Sequence, residues 1–293
     1  MIKELKYWLI YGIMVLPALL PLRVLYLISD LLYPLVYHVV GYRKKVVRRN
    51  LVNSFPEKSE EEILSIEKKF YRHFCDFMVE SLKQAHISKE EIMMRTELKN
   101  PEFLDKWKEN GRSIIMMTGH YANWEWFATL NYRIAPLRLA GIYRQLKNEE
   151  MERFFLNIRK SYGAIPIEKE KTLRELIKLR KEKVQIMVAF VSDQTPSVQN
   201  IHYWSNFLNQ DTAMFSGAER IAKMVDYDVV YMDVERVARG KYVAELKLIT
   251  ENPKDTAEFE ITEKYTRMME ETIVREPQYW LWTHKRWKHK RKK

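Results

Sequence analysis

Apolar residues recur every three to four positions from Ile63 through Ile66, Phe70, Phe74 and Phe77 to Leu82. That spacing puts them on one face of a helix. Ser59 precedes the run as an N-cap, and Glu60, Glu61 and Glu62 fill the first turn, where the helix dipole favours acids. Asn100-Pro101 is a second start signal and predicts a short helix. Beyond it the pattern alternates. Residues 113–117, 137–143 and 184–191 are strongly apolar and read as buried strands, whereas helical spacing holds over 123–133, 149–162 and 172–181. A helix over 215–225 precedes strands near 228–234 and 242–249, and a last helix runs over 258–275. Strands alternating with helices predict an α/β domain built on a mixed sheet flanked by helices.

The N-terminal pattern is different. Between Tyr7 and Tyr42 the only full charges are Arg23 and Asp30, with His38 as a third titratable group. Pro17 and Pro21 interrupt the first half, and Asp30 and Pro34 the second. A crossing helix takes about 20 apolar residues, and neither half reaches that without a proline or a charge. The arm spans once, lies in the interface as a kinked helical pair with Trp8 and the tyrosines at headgroup level, or packs as part of a soluble core. Lys3, Lys6, Arg43, Lys44, Lys45, Arg48 and Arg49 flank both ends, so a kinked arm with both ends on the cytoplasmic face fits the positive-inside rule as well as a crossing does. The chain thus divides into a membrane-associated arm over 1–42, an α/β domain over 43–284 and a basic tail over 285–293.

Charge sharpens this picture. The net charge is +11, and the tail holds Lys285, Arg286, Lys288, Lys290, Arg291, Lys292 and Lys293. Interleaved aromatic and base-reading motifs are missing, so nucleic acid is not the expected partner. Beside an apolar arm such a run suits an anionic membrane surface, at about 1 kcal/mol per basic residue; a solvated tail is the plain alternative. The single cysteine, Cys75, sits at helical spacing among phenylalanines and reads as a small core residue. No glycine-rich phosphate loop occurs, and His284 and His289 lie among cations, so neither a cofactor nor a metal is expected.

Candidate chemistry concentrates in Thr118-Gly119-His120-Tyr121-Ala122-Asn123-Trp124-Glu125. His120 follows the strand over 113–117, and Glu125 comes one helical turn later. A carboxylate that fixes an imidazole's tautomer lets the other ring nitrogen take a proton from a hydroxyl. On spacing alone a chance pairing is the better reading. Arg144 ends one strand and Asp193-Gln194 follow another, so three sets of polar groups converge on the carboxyl rim where α/β sheets carry their sites.

Four segments in order resemble the lysophospholipid acyltransferase superfamily and, within it, the lipid A biosynthesis acyltransferases that transfer lauroyl and myristoyl chains. Gly119-His120 with Asn123-Trp124-Glu125 is similar to that family's G-H-x-x-N-W-E. Ile142-Tyr143-Arg144 with Lys147-Asn148, then Arg159 and Gly163-Ala164, resemble its Y-R-x-x-x-N block and downstream arginine. Ser192-Asp193-Gln194 resemble its D-Q element, and residues 276–288 its closing P-E-Q-Y-x-W-x-H-R-R-F-K. Two departures stand out: Glu276-Pro277 is in reversed order, and Thr195-Pro196 follows the D-Q element. Both touch acceptor and chain-length specificity rather than the His–Glu pair.

The resemblance implies a glycerolipid acyltransferase-like fold and direct transfer of a fatty acyl chain from acyl carrier protein to a hydroxyl of a lipid A precursor. It implies the cell inner membrane as the location, with the active domain on the cytoplasmic face. His120 would be the general base and Glu125 its orienting partner. Arg159 and Asp193 correspond to residues the family needs: an oxyanion or phosphate ligand, and an acid that holds such an arginine or orders the loop through Gln194. Arg144 has a phosphate-binding reading. Other acceptors, such as a lysophospholipid, glycolipid or aminolipid, keep the same chemistry. A non-catalytic lipid-binding protein is the reading from a different class.

Overall fold

The structure is a computed structural model that describes residues 7–8, 11–12 and 15–291. Its strands are β1 Thr96–Leu98, β2 Ile114–Thr118, β3 Arg138–Tyr143, β4 Ile165–Glu168, β5 Ile186–Val191, β6 Tyr203–Phe207, β7 Gln210–Met214, β8 Asp228–Ala238 and β9 Lys241–Thr250. Seven of them form a mixed sheet in the order β1-β9-β8-β2-β5-β3-β4, and β6 and β7 pair separately as an antiparallel hairpin. β8, β2, β5, β3 and β4 run parallel; β9 turns back antiparallel on β8, and β1 follows β9 in parallel. All five residues of β2 are buried, as expected of a central strand covered on both faces.

The helices are α1 Leu22–Pro34, α2 Lys44–Ser54, α3 Glu60–Lys83, α4 Lys89–Arg95, α5 Asp105–Asn110, α6 Glu149–Ser161, α7 Thr172–Lys181, α8 Gly217–Val225 and α9 Glu260–Arg275. The long helix α3 opens with a full capping box: Ser59 accepts from the Glu62 N–H, and the Glu62 side chain accepts from the Ser59 N–H. Its buried face carries Ile63, Phe70 and Val79, but also Glu67, His73, Asp76 and Glu80. His73, Asp76 and Glu80 follow one another at the same three-to-four spacing as the apolar ones, with Glu67 nearly two turns before them.

Several local expectations change. Residues 123–133 form 3-10 turns over Trp126–Tyr132 rather than an α-helix. Side chains compete with the helical ladder there: Asn123 Oδ1 accepts from the Trp126 N–H, and Thr129 Oγ1 donates to the Trp126 carbonyl. Asn100-Pro101 starts a 3-10 turn, Pro101–Leu104, before α5. The Asn100 side chain does not cap it; it brackets Leu246 on β9 through both backbone polar groups. β1, β4 and the β6–β7 hairpin had no strong pattern in the sequence.

The N-terminal arm is packed rather than detached. α1 continues into a π-helical turn, Leu35–Val40, which ends at Gly41 with φ 62°. Leu22, Leu25, Ser29 and Tyr37 are buried against the body. Lys83 Nζ donates to the Ala18 and Leu20 carbonyls, which the Pro17–Pro21 break leaves without helical partners. Arg286 and Trp287 of the tail are also built into the fold. Arg286 is buried and donates to the Ala213 carbonyl, and Trp287 Nε1 donates to Thr212 Oγ1. What was expected over 1–6 and for Lys292 and Lys293 lies outside the described residues.

Candidate active site

β2 and β5 are neighbours, and the Ser192 N–H still donates to the Thr118 carbonyl at 3.0 Å. The two chains part immediately afterwards, placing His120 and Asp193 face to face at the carboxyl rim. His120 Nδ1 lies 2.6 Å from Asp193 Oδ1, and the His120 backbone N–H donates to Asp193 Oδ2 at 2.9 Å. Trp280 Nε1 donates to Asp193 Oδ2 at 2.7 Å. Burial pushes the Asp193 carboxyl up, but the His120 charge and the hydrogen bonds from His120 and Trp280 outweigh it and hold it down at about 2. An ionised Asp193 requires a proton on Nδ1, which leaves the Nε2 lone pair free to accept. The Gln194 amide occupies that position, with Nε2 to Nε2 at 3.1 Å.

Gly119 explains why the strand ends can come so close. A Cβ at this position would sit 2.4 Å from Met269 Cε and 3.3 Å from Asp193 Cγ. Trp124 then fixes the free side of the imidazole, edge-on to His120 at 5.0 Å and stacked on Phe77 at 4.2 Å.

Glu125 does not take the place expected of it. Its carboxylate faces Arg159, with Arg159 Nη2 to Glu125 Oε2 at 3.5 Å, while the carboxylate on His120 is Asp193. The expected pairings are therefore crossed: Glu125 holds the arginine, and Asp193 holds the histidine. The reason is topological. Asp193 arrives from the strand beside β2, whereas Glu125 is carried away by the 3-10 turn, its carbonyl accepting from Nε2 of Gln84, just past the end of α3.

The loop between them is clamped from two sides. Asn123 Nδ2 donates to Glu80 Oε2, Trp126 Nε1 donates to the Glu80 carbonyl, and His73 Nε2 lies 3.3 Å from the Ala122 carbonyl. From the C-terminal segment, Tyr279 accepts from the Ala122 N–H, the Leu281 N–H donates to the His120 carbonyl, and Tyr121 bridges Trp280. Ala122 itself sits at φ 52°, a conformation such clamping can sustain. Burial pushes the Glu80 carboxyl up, opposed by hydrogen bonds from Tyr242, Asn123 and Tyr26. Burial and the nearby Arg236 cation push His73 down to about 3, so it is neutral. The sequence reading missed Trp280, Glu80, His73 and Gln84. Polar residues at 73, 76, 80 and 84, in register with the apolar stripe of α3, were the available signal.

His120, Gln194, Glu125, Arg159 and Arg144 all line one cavity of about 750 Å³, within the range of about 300–1,000 Å³ usual for small-molecule sites. Asp193 stands behind His120, buried. Met116, Leu139, Ala189 and Met232 give the cavity an apolar wall from four neighbouring strands. Lys169, Arg220 and Lys288 join Arg144 and Arg159 among its lining cations, against the acids Glu125 and Glu152. Arg236 pairs with Asp76 at 2.8 Å and is not part of this lining. Among the described residues no cluster of three His, Cys, Asp or Glu side chains is placed to hold a metal.

The cavity combines an acceptor nitrogen on an oriented imidazole, an apolar wall and an excess of cations. A family model described as bacterial lipid A biosynthesis acyltransferase matches residues 1–289. No curated protein matches the chain. With that match running over almost the entire sequence, the chain belongs to the bacterial lipid A biosynthesis acyltransferase family.

Proposed function

We propose that the protein transfers a fatty acyl chain from the thioester of acyl carrier protein to a hydroxyl of a lipid A precursor, at the inner membrane with its active domain on the cytoplasmic face. The observation that carries the chemistry is the His120–Asp193 pair opening onto the cavity. The acceptor hydroxyl replaces the Gln194 amide at His120 Nε2. As its oxygen attacks the thioester carbonyl carbon, its proton passes to Nε2, and the Asp193 carboxylate stabilises the imidazolium. Collapse of the tetrahedral intermediate breaks the carbon–sulfur bond, and the departing thiolate takes the proton from His120. The products are the ester and the free carrier thiol. No acyl-enzyme forms in this scheme.

The acyl chain lies along the apolar wall of Met116, Leu139, Ala189 and Met232. Arg159, steered by Glu125, and Arg144 are the groups for oxyanion or acceptor phosphate, since guanidinium binds such oxygens in a bidentate way. Glu125 thus keeps a place in the machinery, as the partner of Arg159 rather than of His120. The cationic lining favours an anionic, phosphorylated acceptor over a neutral glycolipid.

The test is mass spectrometry of purified protein given acyl carrier protein thioesters with a lipid A precursor, a lysophospholipid or an uncharged glycolipid. A mass gain on the lipid A precursor that disappears in His120→Ala is expected. Equal transfer to the lysophospholipid, or transfer surviving in His120→Ala, would refute the acceptor or the base respectively.

A further inference from the structure

We propose that the segment Leu22–Val40 lies in the plane of an anionic bilayer leaflet and does not cross it, although its 19 residues are long and apolar enough to do so. The seating rests on the membrane attachment proposed above.

One face of the segment is committed to the body by polar contacts. Tyr26 OH donates to Glu80 Oε1 at 2.8 Å, Ser29 Oγ to Asp76 Oδ1 at 2.7 Å, and Tyr37 OH to Glu67 Oε1 at 2.8 Å. Asp30 pairs with Arg239 at 2.7 Å, and Arg239 also holds Asp76. These contacts repeat along nearly the whole segment, from position 26 to 37. A crossing helix would either break all of them or draw α3 and the β8–β9 turn, with their acids and arginines, into hydrocarbon. Lipid offers no water to replace the lost hydrogen bonds.

The opposite face is apolar and exposed. Leu20, Val24, Leu27, Leu31, Leu35 and Val39 follow one another at spacings of three and four, and Leu31 and Val39 are 75% and 76% exposed. Such a stripe, backed by a polar face, is the signature of a helix lying at an interface. Exposed cations stand at both ends: Arg23 at the start, Lys45 and Arg49 beyond the close. A crossing helix under the positive-inside rule concentrates its cations at one end. Cations at both ends of an exposed apolar stripe complement a single anionic surface.

Cys75, the only cysteine, is buried, and burial pushes its thiol up to about 11, so introduced cysteines can be labelled against a silent background. Arg23→Cys and Lys45→Cys replace exposed side chains. A membrane-impermeant maleimide should label both in inverted vesicles and neither in spheroplasts. One position labelled from each face would overturn the proposal, and so would protection of either position in both preparations. As a second arm, Leu27→Glu with Leu31→Glu should lower partitioning onto phosphatidylglycerol-containing vesicles at least tenfold while leaving the thermal transition in place. Unchanged partitioning would also overturn it. Neither readout involves acyl transfer, so an inactive enzyme would not mask the result. Wild-type protein found wholly in the soluble fraction would instead remove the attachment itself.

Discussion

At the scale of single residues, the site depends on one close approach and one charge. Gly119→Ala would drive a methyl group into Met269. Overpacking of this kind costs about 1–3 kcal/mol, so a lowered thermal midpoint and displaced His120 are expected. Adding Met269→Ala should then cost less than the sum of the two single changes, and strict additivity in a double-mutant cycle would rule the contact out. His120→Ala should cut turnover by roughly 100- to 10,000-fold, the usual contribution of a general base. Asp193→Asn keeps the shape but removes the charge that holds the Nδ1 proton, and it should approach the same loss with the fold intact. Glu125→Gln tests the crossed pairing: it should resemble an Arg159 variant, raising KM or lowering turnover without moving the pH profile. A profile that shifted with Glu125→Gln but not with Asp193→Asn would return Glu125 to the histidine.

At the scale of elements, α3 does more than bury a stripe. His73 is neutral and pushed down to about 3, and His284, whose Nε2 accepts from the Thr195 N–H, is pushed down to about 4 by burial. In the unfolded chain both take a proton near pH 6.5. Between that value and their folded ones the unfolded state binds more protons, so stability falls as pH drops through this window. Each group adds a slope of about 1.4 kcal/mol per pH unit. Thermal melts from pH 7 to 4.5 should show this decline, and His73→Gln should flatten it. The pH dependence of melting in that variant would match wild type if His73 were not the cause. Glu80→Leu removes the acceptor for Asn123, Tyr26 and Tyr242 together. It should loosen the 120–126 loop and reduce activity even though Glu80 lies outside the cavity lining.

The whole molecule joins its parts more tightly than a three-part division of the chain suggests. Because Leu22, Leu25 and Tyr37 are core residues, deleting 1–42 should yield aggregated protein rather than a soluble catalytic body. A monodisperse, cooperatively melting fragment would contradict this. The tail divides too. Arg286 and Trp287 are structural, and Lys288 lines the cavity. Long-range charge effects therefore fall to Lys290 onward. If acyl carrier protein is the donor, as proposed, neutralising Lys290 and Arg291 should raise its KM at about 0.1 M salt and have little effect at about 1 M, where the Debye length falls from about 10 Å to about 3 Å. Equal losses at both salt concentrations would mean that these residues, too, are packed.

From the sequence alone, periodicity and punctuation located α3 with its Ser59 N-cap, the central strands β2, β3 and β5, and the convergence of His120, Arg144 and Asp193-Gln194 on one rim. Those features are local: a buried parallel strand is an unbroken apolar run, and a capped helix carries its own start signal. The motif segments likewise carried the family. The sequence did not decide which carboxylate faces the histidine. Glu125 is nearer along the chain, but adjacency of β2 and β5 brings Asp193, 73 positions away, to 2.6 Å. Nor could it assign a role to the polar stripe on α3, because the partners of Glu80 and His73 come from the 120–126 loop and α1, which meet them only in the fold. The same holds for the arm, whose composition fits a crossing and an interfacial helix equally. The hydrogen bonds of its inner face to Glu67, Asp76 and Glu80 favour the interfacial seating proposed above, and they exist only when the chain has folded back on itself.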